Sequence, residues 1–156
     1  MEIKAGSLIT QIKQISGRIF DRILSDKNID AFNGAQGNLL YVLWQGDNIT
    51  LGELSRKTGL ATTTLTSMVD RMEAAGLVNR TADPKDRRKT RLLLTDKAKG
   101  LRSDYNDVSE RMSDIFYSGF SEEEIRQFEH YLERVLLNLR KSIRCYACSG
   151  RLNFLE

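Results

Sequence analysis

The chain has 156 residues, enough for one domain, and at this length should bury roughly 70% of its unfolded surface without disulfides or metal. Hydrophobic residues make up 40% and charged residues 29%, too apolar a mixture for a disordered protein. The longest apolar run, Leu39 to Trp44, is far shorter than the ~18 residues a membrane span requires, and no secretion signal is visible at the N-terminus, so a cytoplasmic protein is expected.

Charge is informative once it is located. The net charge is +3, but residues 79–91 hold six bases (Arg80, Lys85, Arg87, Arg88, Lys89, Arg91) against two acids (Asp83, Asp86). Residues 101–143 carry nine acids and six bases. One basic patch on a near-neutral body suits an anionic partner, although a solvated loop with no partner would read the same way in isolation.

In chain order, Leu8, Ile12, Ile15, Ile19 and Ile23 recur at helical spacing and predict a helix from Ser7 to about Ser25. Asn33 followed by Gln36 is a capping box for a second helix, which Gly46 and Asp47 stop. Thr50 and Glu53 form another box, opening a short helix that ends at Thr58 and Gly59. A fourth helix runs from about Ala61 to Ala74 and closes at Gly76. The period then changes. Residues 77–81 and 90–94 are short and β-prone, separated by a polar stretch with the only proline, and predict an antiparallel hairpin. Thr95 caps a long helix expected to continue to about Tyr117. Gly119 interrupts, Ser121 and Glu124 make a further box, and the last helix repeats Ile125, Phe128, Leu132, Val135, Leu136, Leu139 and Ile143.

Two short helices joined by a glycine turn, followed by a basic hairpin, form a winged helix-turn-helix. The second of these helices has the girth to enter a major groove about 12 Å wide. On it, Leu65, Met68, Val69 and Met72 share an inward face, while Thr62, Thr63, Thr66, Ser67 and Asp70 lie largely opposite. Consecutive β-branched threonines lose rotamer freedom in a helix. A hydroxyl face toward DNA explains them better than an exposed helix meeting only water, and their methyls can touch thymine methyls.

DPKDRR (residues 83–88) followed by LLLT (residues 92–95), with VDRME (69–73) and GLVNR (76–80), resembles the multiple-antibiotic-resistance regulator (MarR) family. The resemblance covers roughly residues 5–142. It implies a mainly α fold, a winged helix-turn-helix with N- and C-terminal dimerisation helices and one small β-hairpin wing. The whole chain, 1–156, is then a single MarR-like domain: a DNA-binding lobe at 33–95, dimerisation helices at 5–26 and 96–143, and a tail at 144–156. Recognition helices of a homodimer would enter successive major grooves of a pseudo-palindrome, about 34 Å apart.

Carried over by position, Arg88 matches the wing arginine that enters the minor groove, with Lys85 and Arg87 beside it. Asp86 matches the acid bracing the wing through an ion pair, with Arg71 as one possible partner and a DNA contact itself. Thr62, Thr63, Thr66 and Ser67 fall at base- and phosphate-contacting positions. Ser67 stands where the family often has arginine, so a strong guanine preference there is not expected. The function implied is a homodimeric transcriptional repressor relieved by a small aromatic or amphipathic effector. Phe20, Tyr41 and Trp44 are aromatics that suit core packing as well as an effector pocket.

The alternative is a thiol-based redox or metal sensor using Cys145 and Cys148, the only cysteines. A lone C-x-x-C is weak, and the single histidine, His130, adds little to a metal site. A third reading is a helical interaction module with no DNA role. No catalytic constellation and no cofactor motif is present. Asp104, Asp107, Glu110 and Asp114 read as a solvated acidic face rather than acid–base machinery.

Overall fold

The computed structural model describes the backbone of residues 4–148 and the side chains of residues 4–144. Seven helices and three strands follow in chain order among these residues. They are α1 (Ala5–Asp26), α2 (Gly34–Gln45), β1 (Ile49–Thr50), α3 (Leu51–Thr58), α4 (Thr62–Ala74), β2 (Val78–Ala82), β3 (Thr90–Leu94), α5 (Asp96–Gly100), α6 (Arg102–Phe116) and α7 (Glu122–Cys148). The chain divides into two compact units, 1–113 and 114–156, a boundary inside α6 that composition does not mark.

The caps form where the sequence places them. Asn33 accepts the Gln36 amide while the Gln36 side chain accepts the Asn33 amide. Thr50 and Glu53 exchange the same pair of bonds, and Thr95 caps α5 through the Ala98 amide. Each satisfies helix-end donors that would otherwise lack a partner. Because Glu53 accepts the Thr50 amide, and then its hydroxyl, its carboxyl is held below the ordinary range.

The core of the first unit gathers one face of every element around Leu39, Leu40, Leu43, Leu54, Leu65, Val69, Met72, Leu77, Val78, Leu92 and Val108, all essentially without exposure. Tyr105 sits among Phe20, Phe32, Tyr41 and Trp44, with ring centroids 5.2–6.2 Å away. Burial raises its phenol above the usual range. In the second unit, Phe116 and Phe120 each lie 6.3 Å from Phe128, and the Tyr117 hydroxyl donates to Glu129.

Three features differ from the sequence reading. The hairpin acquires a third strand: β1 pairs antiparallel with β3, Ile49 opposite Leu92, giving the order β1-β3-β2. Two residues are too few to show a period, so the pairing is visible only in three dimensions. The helix expected from Thr95 to Tyr117 breaks at Leu101, whose amide donates to the carbonyl of Ala98, an i−3 bond. That carbonyl also accepts the Trp44 indole N–H at 3.0 Å, a tertiary partner 54 residues away. Finally, residues 144–148 of the expected tail continue α7; the rest of that tail lies outside the described residues.

Gly59 ends α3 in the left-handed region at φ 72°, so a Cβ there is strained although nothing lies within 4 Å of it. Gly100 is equally open but lies in α5 without a positive φ. Gly59→Ala should therefore lose about 1–2 kcal/mol of unfolding free energy in urea. Gly100→Ala should be neutral or gain up to about 1 kcal/mol.

Candidate nucleic-acid interface

The interface is built on α3, a tight turn, α4 and the β2–β3 wing. The turn is fastened by hydroxyls: Ser55, buried, donates to the carbonyl of Leu60 at 2.7 Å, and Thr58 donates to that of Leu54 at 2.7 Å. Helix α4 then starts from Ala61 with no side-chain cap, leaving its first amides to other acceptors.

On α4, Leu65, Val69 and Met72 are buried and Met68 packs against them. Thr63, Thr66, Ser67, Asp70 and Arg71 are exposed and Thr62 is half-buried. Thr66 donates its hydroxyl proton to the Thr62 carbonyl at 2.9 Å. Arg71 turns back along its own helix, its Nε donating to the Ser67 carbonyl at 3.3 Å.

Two carboxylates on α4, Asp70 and Glu73, are bridged from the wing by one guanidinium. Arg80 of β2 donates through Nη2 to Asp70 at 2.6 Å and through Nη1 to Glu73 at 2.7 Å. Arg80 is only a quarter exposed, which reduces the screening that makes surface ion pairs weak. Helix α4 is thus tied to the strand that leads into the wing.

The wing tip is organised by two aspartates. Asp83 is nearly buried, its side chain 5% exposed. Its Oδ1 accepts the amides of Lys85 (2.7 Å) and Asp86 (3.2 Å), and its Oδ2 accepts Arg91 Nε at 2.7 Å. Arg91 also donates through Nη1 to the carbonyl of Asn48, next to β1. The Lys85 amide bond, ahead of the other contacts, holds the Asp83 carboxyl below its ordinary range. Asp86 accepts both the amide and Nε of Arg88 at 3.1 Å, and the side-chain bond lowers its carboxyl as well. Arg71 is therefore not the partner of Asp86: Arg88 is, with Lys89 Nζ at 3.9 Å. The two positions are local in sequence, so the pair closes within the turn itself. Arg88 keeps 91% of its side chain exposed, and Lys85 and Arg87 are exposed beside it.

Asp83 and the tethers from Arg80 and Arg91 are the functional geometry that the sequence reading missed. Asp followed by Pro, with amides two and three residues on, is a recognisable Asx-turn signal for Asp83. Nothing local marks Arg80 or Arg91, because their partners lie seven to 43 residues away.

Outside this region, His130 is exposed on α7, and Asp104, Asp107, Glu110 and Asp114 are exposed on α6, with Asp107 3.7 Å from Lys27. Among the described residues no group of His, Cys, Asp or Glu could hold a metal ion. The side chains of Cys145 and Cys148 lie outside the described residues. No described helix is long and apolar enough to cross a membrane.

The MarR family model matches residues 32–90, the segment that carries this interface. YsmB of Bacillus subtilis (strain 168), an uncharacterized HTH-type transcriptional regulator, is 36% identical over 100 residues, covering 64% of this chain and 68% of that protein. The chain belongs to the MarR family. YcgE of the same organism, described in the same words, is 39% identical over 85 residues; that match spans about half the relative's length, 54% of each chain. Among solved structures, a cysteine-to-serine variant of E. coli MarR complexed with operator DNA aligns at TM-score 0.78 and 26% identity, covering 86% of this chain and 94% of that one. The fold is a winged helix-turn-helix with a small antiparallel sheet.

The Asp83 bonds set a pH dependence. A carboxyl lowered in the folded state contributes stability above its unfolded pKa of about 3.9, and that contribution is lost as pH falls through the lower folded value. The Lys85 and Asp86 amides should stay protected from exchange at neutral pH and lose protection in that acid window. In Asp83→Asn the acid-dependent step should disappear, as two-dimensional NMR would show.

Proposed function

We propose that this DNA-binding MarR-family transcriptional regulator works as a homodimeric repressor, in the cytoplasm, on a pseudo-palindromic operator. The observation that carries this is the joint mounting of the two readers. The hydroxyl face of α4 and the exposed Arg88 are fixed to one sheet by Arg80 and Arg91. In this reading Thr62, Thr63, Thr66 and Ser67 meet bases and phosphates in the major groove. Arg71, Lys85 and Arg87 neutralise phosphates. Arg88 enters the adjacent minor groove, where the narrow walls concentrate negative potential.

Apolar surface that the single chain leaves open supports dimerisation. Leu8, Ile9, Ile12 and Ile15 on α1 and Leu132, Val135, Leu136, Leu139 and Ile143 on α7 are all exposed, each by 39% or more. Symmetry-related copies covering these stripes remove them from water and double the bases read. Derepression then requires an effector that prefers a lobe spacing unable to fit successive grooves. Reversing a 99:1 population takes about 10⁴-fold differential affinity. The effector implied is a small aromatic or amphipathic molecule; of the rings around Tyr105, Tyr41 keeps half of its surface exposed.

Footprinting with the purified protein on its own upstream DNA should protect a two-fold-symmetric site of roughly 20 base pairs; protection without symmetry, or none, would overturn the reading. If the dimer neutralises about eight phosphates, log affinity should fall with log salt at a slope near −7. Arg88→Ala, withdrawing one cation per subunit from the minor groove and so reducing counterion release, should weaken binding and bring the slope to about −5. Leu136→Glu should yield a monomer by sedimentation and abolish the symmetric footprint.

A further inference from the structure

The chemistry displayed by α4 says which sequences this interface can distinguish. Thr63, Ser67 and Asp70 stand at i, i+4 and i+7 along the ridge directly opposite Leu65, Val69 and Met72, with Thr66 and Arg71 on its flanks. In the major groove guanine offers only acceptors, N7 and O6, and is best read by a side chain with two forked donors. None of the three ridge residues is such a group: Thr63 and Ser67 carry single hydroxyls. Asp70 is an acceptor, already bonded to Arg80 at 2.6 Å. Arg71, on the flank, bonds the Ser67 carbonyl through Nε, and in the proposed reading its remaining donors go to phosphate. Thr66 directs its single hydroxyl proton to the Thr62 carbonyl rather than outward. What remains is short: hydroxyls on Thr63 and Ser67 and the methyl groups of Thr63 and Thr66. Such side chains let the backbone come close to the groove wall, where thymine alone among the bases projects a C5-methyl.

We propose that the half-site is read chiefly through thymine methyl groups packed against Thr63 and Thr66, so that this protein takes A·T-rich half-sites and discriminates them without a guanine contact. The proposal rests on α4 being the major-groove element. It assigns the two threonines as specificity determinants by their methyls rather than their hydroxyls.

The test uses the full-length dimer and a pool of randomised duplexes, selected at fixed salt. The tightest duplex is then remade with deoxyuridine in place of thymidine, which deletes only the methyl and leaves the minor groove and hence any Arg88 contact unchanged. Selected half-sites should be A·T-rich where α4 lies, and each methyl removed there should weaken binding about fourfold. Thr63→Ser and Thr66→Ser should lose a similar factor on the thymidine duplex and become insensitive to deoxyuridine at the matching position. Thr63→Val and Thr66→Val, which keep a methyl and remove the hydroxyl, should retain both affinity and sensitivity. Selection of guanine at the α4 positions would overturn the proposal, as would equal binding of thymidine and deoxyuridine duplexes by a protein that still rejects scrambled DNA. A protein that selects no sequence at all would instead remove the operator reading on which the proposal rests.

Discussion

Two guanidinium groups set the geometry on which everything else depends. A protein that reads DNA with a helix and a wing has to hold these two elements at one separation, because the grooves they enter are at a fixed separation. Arg80 closes that distance on one side by bridging β2 to both Asp70 and Glu73 of α4. Arg91 closes it on the other by joining the wing-tip Asp83 to the chain at Asn48. Arginine suits both positions because its planar fork can satisfy two acceptors at once. The Arg91–Asp83 pair lies at a largely buried site, where an ion pair is less screened than at the open surface, whereas Asp70 of the Arg80 pair stays more than half exposed.

The same bonds solve an electrostatic problem. Asp70 lies on the exposed ridge of α4 and Glu73 beside its edge, where bare carboxylates would repel phosphates. With Arg80 across both, one of the two negative charges is offset and both carboxylates are turned to an internal partner, so the ridge presents hydroxyls and methyls. The wing shows the complementary arrangement: Asp83 is taken inside and spent on backbone amides and Arg91, while Arg88, Arg87 and Lys85 remain outward. Acids organise the interface from within and bases present themselves to solvent, so a chain of net charge +3 can offer a locally basic surface.

Most of the element pattern was legible because its signals are local. A capping box spans four residues, a left-handed glycine announces its own turn, and a change from helical to strand period is visible within a few residues. Asn33, Thr50, Thr95 and Ser121 all cap as their sequence context implies. The wing motif marks Asp86 and Arg88 as candidate positions, and the pair between them, two residues apart, is as local as a cap. Arg71, one possible partner for Asp86 from sequence, is not its partner, since no local rule connects α4 to the wing.

Composition, spacing and short-range hydrogen-bonding chemistry determined the helices, the hairpin, the hydroxyl face of α4 and the basic tip, because each rests on residues within one or two turns of each other. Long-range pairing decided the rest. The strand β1, the break at Leu101 beside the indole of Trp44, and the clamps made by Arg80 and Arg91 each require a partner brought near only when the core has closed. A side chain's reach is set by where the backbone carries it, and that placement is a property of the packed chain rather than of any stretch of its sequence.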